Sequence, residues 1–120
     1  MKKLFSTVFL MICCCVFSKY ANAQCDAGEI KVSIQVTTDA YGYEGYWELV
    51  PAGNDCGEAT IFEGGNVTEI GCTGAGDQDA TTPYGYGDNL TITEGHWCLV
   101  EDASYDIIYV EDWGDGGFTF

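Results

Sequence analysis

The sequence predicts an all-β fold, an antiparallel β-sandwich or jelly-roll of about seven to eight short strands held by disulfide bonds. Residues 30–36 alternate apolar and polar side chains over seven positions, which is typical of a strand with one buried face. Short runs of similar composition recur along the chain, separated by glycine-rich turns. No window shows helical periodicity longer than two turns.

The predicted strands are short and closely spaced. They cover residues 30–36, 46–50, 59–62, 67–70, 89–93, 96–100, 105–110 and 117–120. Glycine-rich turns are predicted at residues 63–66 and 114–117. Residues 72–88 show no strand pattern, and a stretch of that length in a compact domain is either a functional loop or a mobile one. A solvated, flexible loop is the simpler interpretation of that segment.

The first 23 residues have the pattern of a targeting segment. Two lysines follow Met1, residues 4–17 are almost all apolar, and an A-x-A pattern ends at Ala23. The apolar run is too short to cross a bilayer, since a membrane-spanning helix takes about 20 residues. We therefore predict a secretory signal peptide over 1–23 and a single secreted or cell-exterior domain over 24–120. Lipidation at Cys13, Cys14 or Cys15 is the alternative, although none follows the small residue that usually precedes a lipidated cysteine.

Residues 24–120 are strongly acidic. All 19 Asp and Glu residues of the chain lie there, with Lys31 as the only Lys or Arg, and nineteen acids less one base give a formal charge of −18. Binding to nucleic acid or to anionic lipid needs clustered basic residues, so neither partner is expected. No segment after residue 23 is long and apolar enough to predict a membrane span.

Cysteine usage predicts two disulfide bonds. Three of the seven cysteines fall in the predicted signal peptide, which leaves Cys25, Cys56, Cys72 and Cys98 in an oxidising compartment. A zinc site is the alternative, but no C-x-x-C spacing survives and His96 is the only histidine. Four cysteines permit three pairings.

Two acidic turns resemble one another. Residues 39–47 and 111–117 each place an acid, then an aromatic residue with glycine, then a second acid with glycine. Converging carboxylates repel one another unless a cation lies between them, and calcium prefers several hard oxygen ligands in irregular geometry. The sequence therefore predicts calcium as the only cofactor. The alternative is a pair of solvent-facing turns in which Asp caps backbone amides.

Segments near both ends of the domain resemble a recurring pattern in secreted β-sandwich modules. The closing pattern is matched by CLV at 98–100, YDII at 105–108 and EDWGDGG at 111–117. The opening pattern is matched by TTDAYGYE at 37–44 followed by WEL at 47–49. Such modules are similar in outline to CUB-like domains, and they accompany exported bacterial enzymes and surface proteins. The resemblance implies calcium at one end of the sandwich, held by Asp39, Glu44, Asp112 and Asp115.

The positions of the two turns also favour one cysteine pairing. Each turn follows the C-terminal end of a predicted strand, 30–36 or 105–110. If the turns share one end of the sandwich, the residues before each strand lie at the opposite end, where Cys25 and Cys98 would meet. The pairing predicted on that basis is Cys25–Cys98 with Cys56–Cys72.

The sequence offers little for catalysis. His96 is the only histidine, and Ser33 and Ser104, the only serines after residue 23, lack a G-x-S-x-G context. Cysteines held in disulfides leave no thiolate, so we do not expect an enzyme. A small secreted hydrolase using paired carboxylates is an alternative, because acids are abundant.

Aromatic residues in turns favour a binding role instead. Thirteen aromatic residues follow residue 23, and five lie in turns: Tyr41, Tyr43, Tyr84, Tyr86 and Trp113. Exposed rings beside carboxylates suit sugars, whose apolar faces stack on rings while their hydroxyls bond to acids. The alternative is that these rings fill the open ends of the sandwich.

The predicted function is an exported, non-enzymatic binding or adhesion module, supported by calcium and directed at carbohydrate or another surface protein. The main alternative is a structural spacer of a cell-surface or matrix protein, with an acidic surface that keeps it dispersed.

Overall fold

The computed structural model describes residues 24–120, so the predicted signal peptide over 1–23 lies outside the described residues. Six strands form two three-stranded antiparallel sheets, in the orders β4-β1-β6 and β3-β2-β5. The strands are β1 Glu29–Thr38, β2 Gly45–Pro51, β3 Phe62–Gly65, β4 Thr91–Val100, β5 Tyr105–Glu111 and β6 Phe118–Thr119. The all-β prediction is confirmed, and residues 24–120 contain no helix that could cross a membrane.

The number of strands is lower than predicted, partly because two predicted strands form one. Residues 89–93 and 96–100 were expected to be separate, yet β4 runs continuously through Gly95. The register along β1 changes between Val32, paired with Trp97, and Ser33, paired with Gly95, so His96 is the extra residue of a β-bulge. Gly95 has a positive φ of 114°, which glycine adopts without steric cost, and this lets the strand continue through the bulge.

Residues 67–70 form a turn, where a strand was predicted. The main-chain carbonyl oxygen of Asn66 accepts hydrogen bonds from Ile70 N and Gly71 N, both at 3.2 Å. The side-chain Oδ1 of Asn66 accepts a hydrogen bond from Glu69 N at 3.0 Å. This local capping outweighs the strand preference of Val67. The predicted turn at 63–66 is correspondingly displaced, because three of its residues belong to β3.

The core lies between the two sheets. Val36, Trp47, Leu49 and Leu99 form its buried centre, and the side chains of β1 alternate between core and solvent from Val32 onward as the sequence predicts, whereas Ile30 is 44 % exposed. Trp47 is fully buried, and its ring centroid lies 5.2 Å from that of Phe62. β2 is buried on both faces, since the disulfide-linked segment around Cys72 covers Tyr46 and Glu48 on the outer side.

Both predicted disulfide bonds are confirmed. Cys25–Cys98 joins the segment before β1 to β4, with a Cα–Cα distance of 5.3 Å. Cys56–Cys72 has a Cα–Cα distance of 5.7 Å and links two segments outside the strands. Since Glu29 pairs with Val100, the first bond lies at the end of the sandwich where β1 begins.

Candidate functional site

The two acidic turns lie side by side at the end of the sandwich where β1 and β5 finish. Two backbone hydrogen bonds join them, from Asp39 N to Gly117 O at 3.1 Å and from Asp112 N to Glu44 O at 3.0 Å. We call this region the acidic end. The arrangement brings carboxylates from distant parts of the chain into one place.

Three carboxylates converge there. One carboxylate oxygen from each of Glu44, Glu111 and Asp115 lies within 4.8 Å of the others. Lys31, the only Lys or Arg of residues 24–120, lies near the beginning of β1 and so toward the opposite end of that strand. Repulsion within this group is therefore not balanced by a basic side chain, and a bound cation would relieve it.

Glu111 gives this group its most specific feature. Its Oε2 accepts hydrogen bonds from Gly114 N and from Asp115 N, the latter at 3.1 Å. Its Oε1 is buried and has no hydrogen-bond partner among the described residues. A buried charged oxygen without a partner costs at least about 1–3 kcal/mol, so this atom calls for a ligand. The donor set is entirely oxygen, which fits a hard cation such as calcium.

Glu44 is the most buried member of the group, with 8 % of its surface exposed. Burial raises the pKa of its carboxyl, and the negative charges of Glu111, Asp115 and Asp39 add to the increase. A hydrogen bond from the Tyr43 hydroxyl acts in the opposite direction and does not reverse the shift. The site therefore favours a bound proton or a bound cation at Glu44.

The raised pKa of Glu44 gives a prediction for the calcium-free protein. The folded state holds the Glu44 proton to a higher pH than the unfolded state does, so this group removes stability as pH rises through that interval. We expect the stability of the wild type relative to Glu44→Gln to increase as the pH falls through the interval between the raised pKa of Glu44 and its ordinary value. Urea unfolding of both proteins with a chelator measures this difference. A relative stability that falls on acidification would contradict the prediction.

The structure brings only some of the four predicted metal ligands together. Glu44 and Asp115 belong to the converging group, and Asp39 lies close enough for its charge to raise the pKa of Glu44. The Asp39 carboxylate accepts a hydrogen bond from Tyr41 N at 2.8 Å within its own turn. Asp112 is outside the group, and both of its oxygens accept backbone hydrogen bonds.

Glu111 was missed because the sequence places two acids next to each other. Successive strand residues point to opposite faces, so only one of Glu111 and Asp112 can point inward. Tyr109 packs against the core two residues earlier, so Glu111 lies on the same face of β5, whereas Asp112 follows the strand and is buried by segment 72–88. The sequence of β5 places apolar residues on both faces, so it could not by itself identify Glu111 as the acid of the converging group.

Asp112 anchors the long segment 72–88, which contains no strand. Asp112 is fully buried and accepts hydrogen bonds from Gln78 N and from Ala80 N, the latter at 2.9 Å. Glu69 accepts a second pair, from Thr81 N at 2.6 Å and Thr81 Oγ1 at 2.8 Å. The segment is thus exposed on its outer side and fixed through its backbone.

The end of this segment is also fixed to the first acidic turn. Asp88 accepts a hydrogen bond from Gly42 N at 3.0 Å, and Tyr86 N donates one to Gly42 O at 3.2 Å. A Cβ at Gly42 would overlap the carbonyl oxygen of Gly87, so this close approach requires glycine. The loop and the turn therefore form one connected surface.

A cleft of about 340 Å³ opens at the acidic end. Its lining consists of Tyr41, Tyr43, Glu44, Trp113 and Asp115. Tyr41 and Trp113, one from each turn, are 52 % and 51 % exposed. The cleft thus combines solvent-facing rings with two of the three converging carboxylates.

The five aromatic residues predicted to bind a ligand do not all line this cleft. Tyr41, Tyr43 and Trp113 do, whereas Tyr84 is exposed on the loop outside the lining. Tyr86 packs against the core, and its hydroxyl accepts a hydrogen bond from Trp47 Nε1 at 3.1 Å and donates one to Glu94 at 2.8 Å.

A larger depression of about 500 Å³ lies along residues 24–31. One chain segment forms its whole lining, which contains no aromatic ring. It does not bring together groups from different elements, and the cleft at the acidic end is therefore the better candidate for ligand binding.

Comparisons with known proteins add no relative to this description. No family model, no curated protein and no solved structure matches the chain. The resemblance to CUB-like modules stays a hypothesis from the two sequence motifs, and function is inferred from the site itself.

Proposed function

We propose that this chain is an exported, non-enzymatic binding or adhesion module whose acidic end is supported by calcium. The observation that carries the proposal is the buried, unpartnered Oε1 of Glu111 beside the carboxylates of Glu44 and Asp115. The two disulfide bonds are of a kind common in extracellular proteins, which supports export. The proposed location of the ion agrees with the end that the CUB-like resemblance implies.

Calcium suits this site better than other common cations. It accepts six to eight oxygen ligands without strict geometry, and the three carboxylates supply part of that number. Zinc prefers nitrogen and sulfur ligands, while magnesium demands near-octahedral geometry. Water or ligand oxygens would complete the coordination of calcium.

A bound ion would hold the two turns together. Glu44 belongs to the first turn, whereas Glu111 and Asp115 belong to the second, so a shared ion links them across the acidic end. Its charge would also offset the mutual repulsion of the three acids. The rings of Tyr41 and Trp113 would then stand on a fixed frame, as a binding surface requires.

Thermal unfolding of the purified, oxidised protein with calcium and with excess chelator tests the proposal. Calcium at about 100 times its Kd is expected to add about 2.7 kcal/mol of stability. Glu111→Gln should remove most of this gain, because it changes the unpartnered carboxylate. Glu101→Gln is the matched control. It removes the same charge from an exposed residue near the end of the sandwich opposite the acidic end. An unchanged midpoint in the wild type would show that the acids only form solvated turns.

A carboxylate-based hydrolase is the second candidate function. The raised pKa of Glu44, in a cleft beside Asp115, resembles the pairing of a general acid with a carboxylate in glycosidases. Hydrolysis of a panel of nitrophenyl glycosides, with chelator and then with calcium, tests this candidate. Activity that Glu44→Gln abolishes would favour the hydrolase over the binding module.

A further inference from the structure

We propose that the cleft at the acidic end binds a neutral sugar ring, with a vicinal diol of the sugar completing the coordination of the calcium ion. This inference rests on the proposed calcium site and names the class of ligand that the site takes. The sugar would occupy the space between Tyr41 and Trp113, with its hydroxyls toward Glu44 and Asp115.

The size and lining of the cleft fit one sugar ring. Its volume of about 340 Å³ lies at the lower end of the range for small-molecule sites. Tyr41 and Trp113 expose about half of their surface and line the cleft beside the carboxylates of Glu44 and Asp115. Aromatic rings stack on the apolar C–H face of a sugar, while the carboxylates accept hydrogen bonds from its hydroxyls.

Incomplete coordination favours a ligand that brings its own oxygens. Glu44, Glu111 and Asp115 are the only converging acids at the acidic end of the described part, and Glu111 Oε2 already accepts two backbone hydrogen bonds. Calcium needs six to eight oxygens, so several positions remain for water or for another donor. Two adjacent hydroxyls of a sugar can replace two of those waters.

The negative charge of the protein favours a neutral sugar over the other classes of ligand. A formal charge of −18 over residues 24–120 repels uronic acids and sulfated or sialylated glycans. A cationic peptide could bind the same rings and acids, but it would compete with calcium for Glu44 and Asp115. A neutral polyol is the class that calcium would help to bind.

An array of oligosaccharides ending in mannose, galactose, glucose or fucose, with sialylated and sulfated counterparts, tests the inference. The whole oxidised protein is expected to bind one or more neutral glycans with calcium and to lose them with chelator. Trp113→Ala should lower the affinity about tenfold or more and retain the calcium-induced shift in melting temperature. Val100→Ala, which shortens an exposed apolar side chain at the opposite end, should change neither.

Four results would overturn the inference. A calcium-induced thermal shift without neutral glycan binding would remove the sugar and leave the proposed calcium-supported module intact. Glycan binding that persists in chelator would remove the diol–calcium contact. Binding of an oligolysine peptide that calcium weakens, without glycan binding, would assign the cleft to a cationic partner instead. Absence of any thermal shift would contradict the proposed function itself.

Discussion

Replacing Asp112 with alanine is expected to lower the free energy of unfolding by about 3–5 kcal/mol. The carboxylate of Asp112 is fully buried and accepts hydrogen bonds from Gln78 N and Ala80 N. Each hydrogen bond to a charged group contributes about 1.5–3 kcal/mol, and the variant would leave both amides without this acceptor. The loss should appear as a lower midpoint of urea unfolding.

Asp102→Ala is the control for this variant, because it removes the same charge from an exposed position. A change below about 1 kcal/mol for Asp112→Ala would contradict the anchoring role. Asp112→Asn separates anchoring from metal binding, since Asp112 is not one of the converging carboxylates. We expect Asp112→Asn to be destabilised yet to retain its calcium-induced shift, in contrast to Glu111→Gln.

Removing the Cys25–Cys98 disulfide is expected to cost about 4 kcal/mol, and removing Cys56–Cys72 about 3 kcal/mol. The difference follows from the sequence separations of 73 and 16 residues, since a longer closed loop restricts the unfolded chain more strongly. Domains of this size are commonly stable by only about 5–15 kcal/mol, so either loss is a large share of the total.

Urea unfolding of two double variants measures these losses, Cys25→Ser with Cys98→Ser and Cys56→Ser with Cys72→Ser. The wild type treated with a reductant provides the reference in which both bonds are open. A greater loss for the second pair would contradict the prediction from chain entropy. It would mean that the packing of Cys72 over Tyr46 and Glu48 outweighs the length of the loop.

Much of the fold could be predicted because alternation is a strong local signal. The alternation of residues 30–36 predicts β1 and, from Val32 onward, its buried face. The disulfide pairing followed from placing the two acidic turns at one end, where backbone hydrogen bonds now join them. The sequence alone could not predict that the two strands expected at 89–93 and 96–100 form the single strand β4. Their continuity depends on a bulge at His96, which exists only when β1 is alongside.

The candidate site was predictable in outline and not in detail. The repeated pattern of acid, aromatic and glycine indicated the two turns, and it singled out Glu44 and Asp115, which the structure places in the converging group. It could not distinguish Glu111 from Asp112, because that choice depends on which face of β5 meets the core. The partners of Asp112 were also hidden, since backbone amides of a loop carry no sequence signature.

The anchoring of segment 72–88 has a consequence for how this protein can change. Asp112 binds main-chain N–H groups of Gln78 and Ala80, and every amino acid except proline offers such a group. The Ala80 side chain can therefore be exchanged without loosening the loop, whereas Gln78 lies at a positive φ of 59°, which limits that position to residues that accept a left-handed backbone. The segment adjoins the turn that supplies Tyr41, because its end is hydrogen-bonded to Gly42. Substitutions in segment 72–88 could therefore change which ligand the protein binds while the two sheets stay the same. Such substitutions can arise by natural selection or be selected from a library.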